Sequence, residues 1–164
     1  MIKLSFDKKL TGDPIKTQVL NNTVTKVTIT GVIIENLGIY TPMMVENFIE
    51  KYPGVKAYYS GGAYVITATG VSKKILGDAY NKVLGYRIAE SRAKIKLYRF
   101  MLNLCKKYMK VVSPILFGTF DISFDYEYKV DSVPRDITKY QKLLDTEMKH
   151  LNNLIHGANT KSSE

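Results

Sequence analysis

Three acids, Asp121, Asp125 and Glu127, fall on one side of a strictly alternating segment, and Glu127-Tyr128-Lys129 matches half of a metal-dependent nuclease site. In such a site carboxylates hold Mg²⁺ and the lysine polarises the scissile phosphate. The other half, an acid supplied by a separate strand, has no counterpart in the sequence, and an alternating acidic face is ordinary solvent patterning. His150 and His156 lie six residues apart, which puts them on opposite sides of a helix and disfavours a shared metal. Gly54 and Gly61-Gly62 lack the spacing of a phosphate-binding loop and read as turn glycines. The single cysteine, Cys105, can form no internal disulfide, and its apolar flanks suit a small buried hydrophobe better than a nucleophile. No nucleophile is placed with a base. We therefore expect a non-enzymatic protein that needs neither metal nor cofactor.

Charge gives a sharper signal. The chain carries a formal net charge of +9, and residues 82–110 hold nine of its Lys and Arg residues against one acid, Glu90. Projected as a helix, Arg92, Lys96, Arg99, Lys106, Lys107 and Lys110 share a sector roughly 100° wide, beside a broader arc of Val83, Leu84, Tyr86, Leu97, Phe100, Met101, Leu104 and Tyr108. A stripe of one sign repels itself, whereas a plain solvent face intersperses acids. The six cations are thus the candidate site for nucleic acid or an acidic protein surface, with Tyr58, Tyr59 and Tyr64 available to stack on bases. Lysine predominates over arginine, which favours backbone contact over sequence readout.

The elements that position this stripe are legible in outline. Ile2 to Phe6 alternates as a short strand, and residues 8–16, with Gly12, Asp13 and Pro14, read as a turn or loop. Thr23 to Ile34 is a longer β-branched strand in which Gly31 marks a bulge. Thr41 and Pro42 open a short helix ending near Tyr52. Val55 to Ser60 and Ala63 to Thr69 form a hairpin about Gly61-Gly62, and Gly70 to Gly77 links into the basic helix, capped by Asp78 and ending before Pro114. Residues 120–130 alternate as a further strand. A last helix, about 135–156, carries an apolar seam of Ile137, Tyr140, Leu144, Met148, Leu151 and Ile155 suited to pack on the first helix or to dimerise, and Tyr140, Leu144, Met148, Leu151 and Ile155 are the candidates for an oligomer contact. Residues 158–164 are a polar tail.

The expected architecture is a single α+β domain over residues 1–157, with an antiparallel-rich sheet of four or more strands packed on one long basic helix and a C-terminal amphipathic helix. With 45% hydrophobic residues and no apolar run near the ~20 residues a bilayer requires, neither disorder nor a membrane span is expected. The first residues have no apolar run behind a basic one, so secretion is not expected.

Asp78, Tyr80-Asn81, Gly85, Ile88-Ala89, Arg92-Ala93 and Lys96 together form a D-x-Y-N-x-x-x-G-x-x-I-A-x-x-R-A-x-x-K pattern. It resembles a segment that recurs in small bacteriophage-encoded proteins, most without an assigned activity. The resemblance implies a phage accessory protein in host cytoplasm or virion and carries no catalytic residue. Gly85, Ala89 and Ala93 recur every fourth residue, a small-residue groove for close helix packing. Three roles follow as expectations: binding of nucleic acid or another polyanion, a subunit of a homo-oligomer or virion assembly, and an inhibitor of a host defence system.

Overall fold

The computed structural model describes residues 2–20, 23–35, 47–49, 51–74, 81–117 and 132–159. Its centre is β3 (Val24–Glu35), whose two edges organise a five-stranded antiparallel sheet. One edge of β3 is shared end to end by β1 (Ile2–Ser5), paired at residues 32–35, and β2 (Ile15–Leu20), paired at residues 24–29. Between them the chain makes one helical turn, α1 (Lys8–Thr11), whose N-cap Asp7 accepts from Lys9 N at 2.9 Å. The other edge of β3 carries β5 (Ala63–Lys73), and β5 carries β4 (Val55–Ser60). Gly61 and Gly62, with φ of +58° and +83°, make the two-residue turn of the β4–β5 hairpin, a conformation that side chains with a Cβ resist.

Alternation sorts the sheet into two faces. Thr25, Val27, Ile29, Gly31 and Ile33 of β3 and Tyr64, Ile66, Ala68, Gly70 and Ser72 of β5 are buried on the face that meets the helices. Against it lies α2 (Lys82–Phe117), and against α2 lies α3 (Val133–Asn159). Ala89, Ala93, Leu97, Phe100, Met101, Leu104 and Cys105 of α2 are fully buried. Helix and sheet touch most closely at Gly70, where a Cβ would lie 2.6 Å from Ala93 N and closer still to the Ala89 carbonyl oxygen. Phe48 stacks on Phe100 and Tyr52 meets the same ring edge-on, and Tyr52 OH accepts from Asn103 Nδ2 at 2.8 Å.

The α+β class and the antiparallel sheet agree with expectation, and six details differ. The stretch read as a loop contains α1 and the first residues of β2. β5 runs on through Lys73, where a link was expected from Gly70. Gly31 is no bulge: it pairs in register with Ile66, and its missing Cβ makes room for Leu4, whose Cδ1 would otherwise lie 2.6 Å away. The cap of α2 is Asn81, whose Oδ1 accepts from Leu84 N at 3.0 Å. The α2 backbone continues past Pro114 to Phe117: a proline beyond the first turn forfeits a bond to the preceding turn and crowds its carbonyl, a cost that weakens or kinks a helix without having to end it. Tyr140 and Leu144, expected to line an oligomer seam, are 2% and 7% exposed within this chain, and Leu151 packs against the same core. Of that seam only Met148 is well exposed. The expected strand over 120–130, with Asp121, Asp125 and Glu127, lies outside the described residues, as do Thr41, Pro42, Asp78 and the tail from residue 160.

Candidate nucleic-acid interface

The cationic sector exists because α2 is buried on two sides. The sheet covers one arc, through Ala89, Ala93, Leu97 and Leu104, and α3 covers the opposite one, where Ser91 is 1% exposed and donates to Glu147 Oε1 at 2.5 Å. The remaining sector carries the six predicted cations. Arg92, Lys96, Arg99, Lys106 and Lys110 are exposed and Lys107 is half-buried. Among the described residues none of the six forms an ion pair. Along the axis, Arg92 and Lys110 stand roughly 27 Å apart at about 1.5 Å per residue.

Two of the six have a structural task that sequence reasoning missed. β4 pairs with β5 only as far as Ala68, so among the described residues the carbonyls of Thr69 and Val71 face outward without a strand partner. Arg92 Nη1 donates to Val71 O at 2.5 Å and Lys96 Nζ to Thr69 O at 2.7 Å. The match is geometric: a four-residue step on a helix advances about 6 Å and a two-residue step on a strand nearly 7 Å. Antiparallel to β5, α2 therefore presents i and i+4 cations to alternate carbonyls. Cationic side chains over a bare strand also discourage pairing with another chain.

Lys94, just outside the ridge, is committed elsewhere. Its Nζ lies 2.6 Å from Glu90 Oε1. Burial works against its charge, but the hydrogen bond and attraction of Glu90, with the field of Glu147, outweigh that and raise its pKa above the ordinary lysine value. Burial, reinforced by Glu147 and Glu90 and opposed by Lys94, likewise raises the Tyr98 hydroxyl. The single acid of the 82–110 segment is thus spent on the α3 side, away from the ridge.

The tyrosines named for stacking separate. Tyr64 is buried on the helix-facing side, and Tyr59, 65% exposed, packs edge-on against it with centroids 5.1 Å apart. Tyr58, 57% exposed, points to the opposite face of the sheet. His150 and His156 are both exposed, and among the described residues no three His, Cys, Asp or Glu residues gather as a metal site. The Cys105 thiol is pushed up to about 12, first by burial and then by the Asp136 charge, which suits a packing residue. Gly85, Ala89 and Ala93 are buried, with Ala89 and Ala93 against Gly70. Among the described residues no helix is long and apolar enough to cross a membrane. Comparison of the chain with protein-family models, with curated proteins and with solved structures finds no match.

Proposed function

We propose that this protein is a non-enzymatic accessory protein that binds a polyanion, nucleic acid foremost, along the exposed sector of α2. The observation that carries this reading is the ridge itself: Arg99, Lys106 and Lys110 stand in solvent with no acid paired to them among the described residues. Surface cations without counter-charges attract phosphates and release condensed counterions on contact. Arg92 and Lys96 extend the positive field toward the sheet while holding its edge.

A structural role in a particle is supported less well, because the seam on α3 that would make subunit contacts is largely used inside the chain. The phage-like pattern adds little discrimination, since its small residues serve the contact with Gly70 and its Arg92 and Lys96 serve the strand edge.

The test is a titration of a labelled oligonucleotide followed by fluorescence anisotropy across a NaCl series. The variant Arg99→Gln/Lys106→Gln/Lys110→Gln, which leaves both edge-capping residues in place, is expected to weaken binding at least tenfold at low salt. It should also reduce the slope of log K against log salt by roughly 2 for a single strand, at about 0.7 for each phosphate that is no longer neutralised. An unchanged affinity and slope in this variant removes the ridge from the interface.

A further inference from the structure

The face of the sheet that the helices do not cover is also cationic, and it meets the α2 ridge at the bare edge of β5. The register lays this face out as rows running across the strands. Leu20, Val24 and Lys73 form one row; Gln18, Lys26 and Val71 the next; then Lys16, Thr28 and Thr69; then Thr30, Thr67 and Lys56. Each of these rows contributes a lysine on one side or another, and no Asp or Glu occupies this face in the described strands. Lys16, Lys56 and Lys73 are exposed, and Lys26 is half-buried. Asp13, just ahead of β2, is engaged by Lys8 at 3.7 Å.

Between the lysines lies a hydroxyl ladder. The oxygens of Thr28 and Thr69 are 3.0 Å apart and those of Thr30 and Thr67 3.3 Å apart, so each pair holds one donor between two oxygens and keeps a flat, polar floor. The next row, with Val32 and Val65 at 3% and 8% exposure, is closed, and exposed Tyr58 stands at its end on β4. The open region is thus a polar platform that carries four lysines, with one aromatic ring at its rim.

We infer that this open face is a second part of the same anion-binding surface and that its occupant is single-stranded nucleic acid. The inference rests on the polyanion reading of α2 and goes further, to a second surface and a class of ligand. What selects a single strand is the path between the surfaces. The ridge lies on the helix side of the sheet and the lysine rows on the other, and among the described residues they join around β5 residues 69–73, where Arg92 and Lys96 lie along the edge. A ligand touching both must turn around a layer on the order of 10 Å thick. Duplex DNA, with a persistence length of about 50 nm, cannot make that turn within one protein; a single strand can. A polar floor whose rows lie about 7 Å apart, with one lysine in each row spread over four strands and a tyrosine at the rim, offers phosphate contacts and base stacking without base-edge readout.

The experiment uses the full chain and three probes: a fluorescein-labelled 20-nucleotide oligothymidylate, a labelled 20-base-pair duplex, and unlabelled polyglutamate as competitor. It compares wild type, the open-face variant Lys16→Gln/Lys26→Gln/Lys56→Gln/Lys73→Gln, the milder pair Lys56→Gln/Lys73→Gln, the ridge variant above, and Tyr58→Ala. Circular dichroism melting checks that each variant is folded, and the pair serves where the fourfold variant is not. The expected result is tighter binding of oligothymidylate than of duplex. The open-face variant should lose at least tenfold, with the salt slope reduced by roughly 3, and Tyr58→Ala about fivefold or more. If the ridge variant loses affinity while the open-face variant or the folded pair does not, the open-face proposal is overturned and the ridge reading stands. The reverse pattern overturns the ridge and keeps the open face. Duplex binding as tight as single strand, or polyglutamate competing as well as oligothymidylate at equal charge, overturns the choice of ligand. No binding to any probe overturns both surfaces.

Discussion

The sheet has two edges that another element must satisfy, and the chain treats them in opposite ways. At the β1 edge, α3 supplies groups that are removed from water: Asp136 Oδ2 accepts from Ile2 N at 2.8 Å, and Tyr140 OH accepts from Leu4 N at 2.9 Å while donating to Ile2 O at 3.2 Å. Asp136 and Tyr140 are both 2% exposed. At the β5 edge, α2 supplies Arg92 and Lys96, which remain in solvent. A buried polar group without a partner costs its full desolvation, whereas an exposed carbonyl that loses a cation finds water. The first edge is therefore a fastening that stability depends on. The second leaves cations where a ligand can reach them.

The largest expected effect comes from lifting α2 away from the second edge altogether. Gly70→Ala puts a methyl group against the α2 backbone at Ala89 and Ala93, where no side chain can move aside. Overpacking of this kind is expected to cost about 3 kcal/mol or more, read as a loss of chemical-denaturation stability. It should also separate Arg92 and Lys96 from their carbonyls. A Gly70→Ala protein as stable as wild type would mean that helix and sheet are farther apart than described, and the edge capping would go with them.

Asp136→Ala breaks the first edge at one point. It leaves Ile2 N unsatisfied in the interior and deletes a charge-assisted bond, for an expected loss of about 2 kcal/mol. Tyr140→Phe removes one acceptor and one donor and is expected to cost about 1–2 kcal/mol. It has a second signature in pH. Burial raises the Tyr140 hydroxyl well above its ordinary value of 10.0, with the bond from Leu4 N pulling the other way. The folded state therefore holds this proton more tightly than the unfolded chain does. Its contribution is fully present below about pH 10 and is lost as pH climbs toward the folded pKa. Lys94, also raised, acts in the same direction from its ordinary 10.5 upward. Alkaline melting curves of Tyr140→Phe should fall less steeply above pH 10 than those of wild type; parallel curves would mean that this hydroxyl is not buried.

The contrast between the edges also explains what could be read from residues alone. The β4–β5 hairpin is legible because Gly61-Gly62 sits between two β-branched and aromatic runs, a local signal. The position of the cationic stripe is legible because helical periodicity is local as well. The task of Arg92 and Lys96 is not, since it depends on β4 stopping at Ala68 and on α2 running antiparallel to β5, both long-range facts. β2 is missed, with Ile15 and Lys16 taken into the loop and residues 17–20 given no element, because Ile15, Thr17 and Val19 alternate over only six residues and lie on an edge that α2 does not cover. Tyr140 and Leu144 mark a seam correctly by their spacing, but spacing says only that a partner exists, and here the partners are α2 and β1 of the same chain. The open-face lysines are spread over β2, β3, β4 and β5, and only the register brings them together.

The smallest effect is the most discriminating. Arg92→Met/Lys96→Met removes both cations from the β5 edge while keeping the length of side chain that packs beside it. Because Thr69 O and Val71 O can take water instead, the expected change in stability is within about 0.5 kcal/mol. A bare strand edge, however, is a template for pairing. The double variant should therefore show concentration-dependent self-association by light scattering at concentrations where wild type has none, with the melting temperature nearly unchanged. Its affinity for a single strand should fall together with the salt slope, by roughly 1.4 for two phosphates at about 0.7 each. A stability loss as large as that of Asp136→Ala would make the two edges equivalent, and the solvent-exposed pair would then belong to the core fastening rather than to the ligand surface.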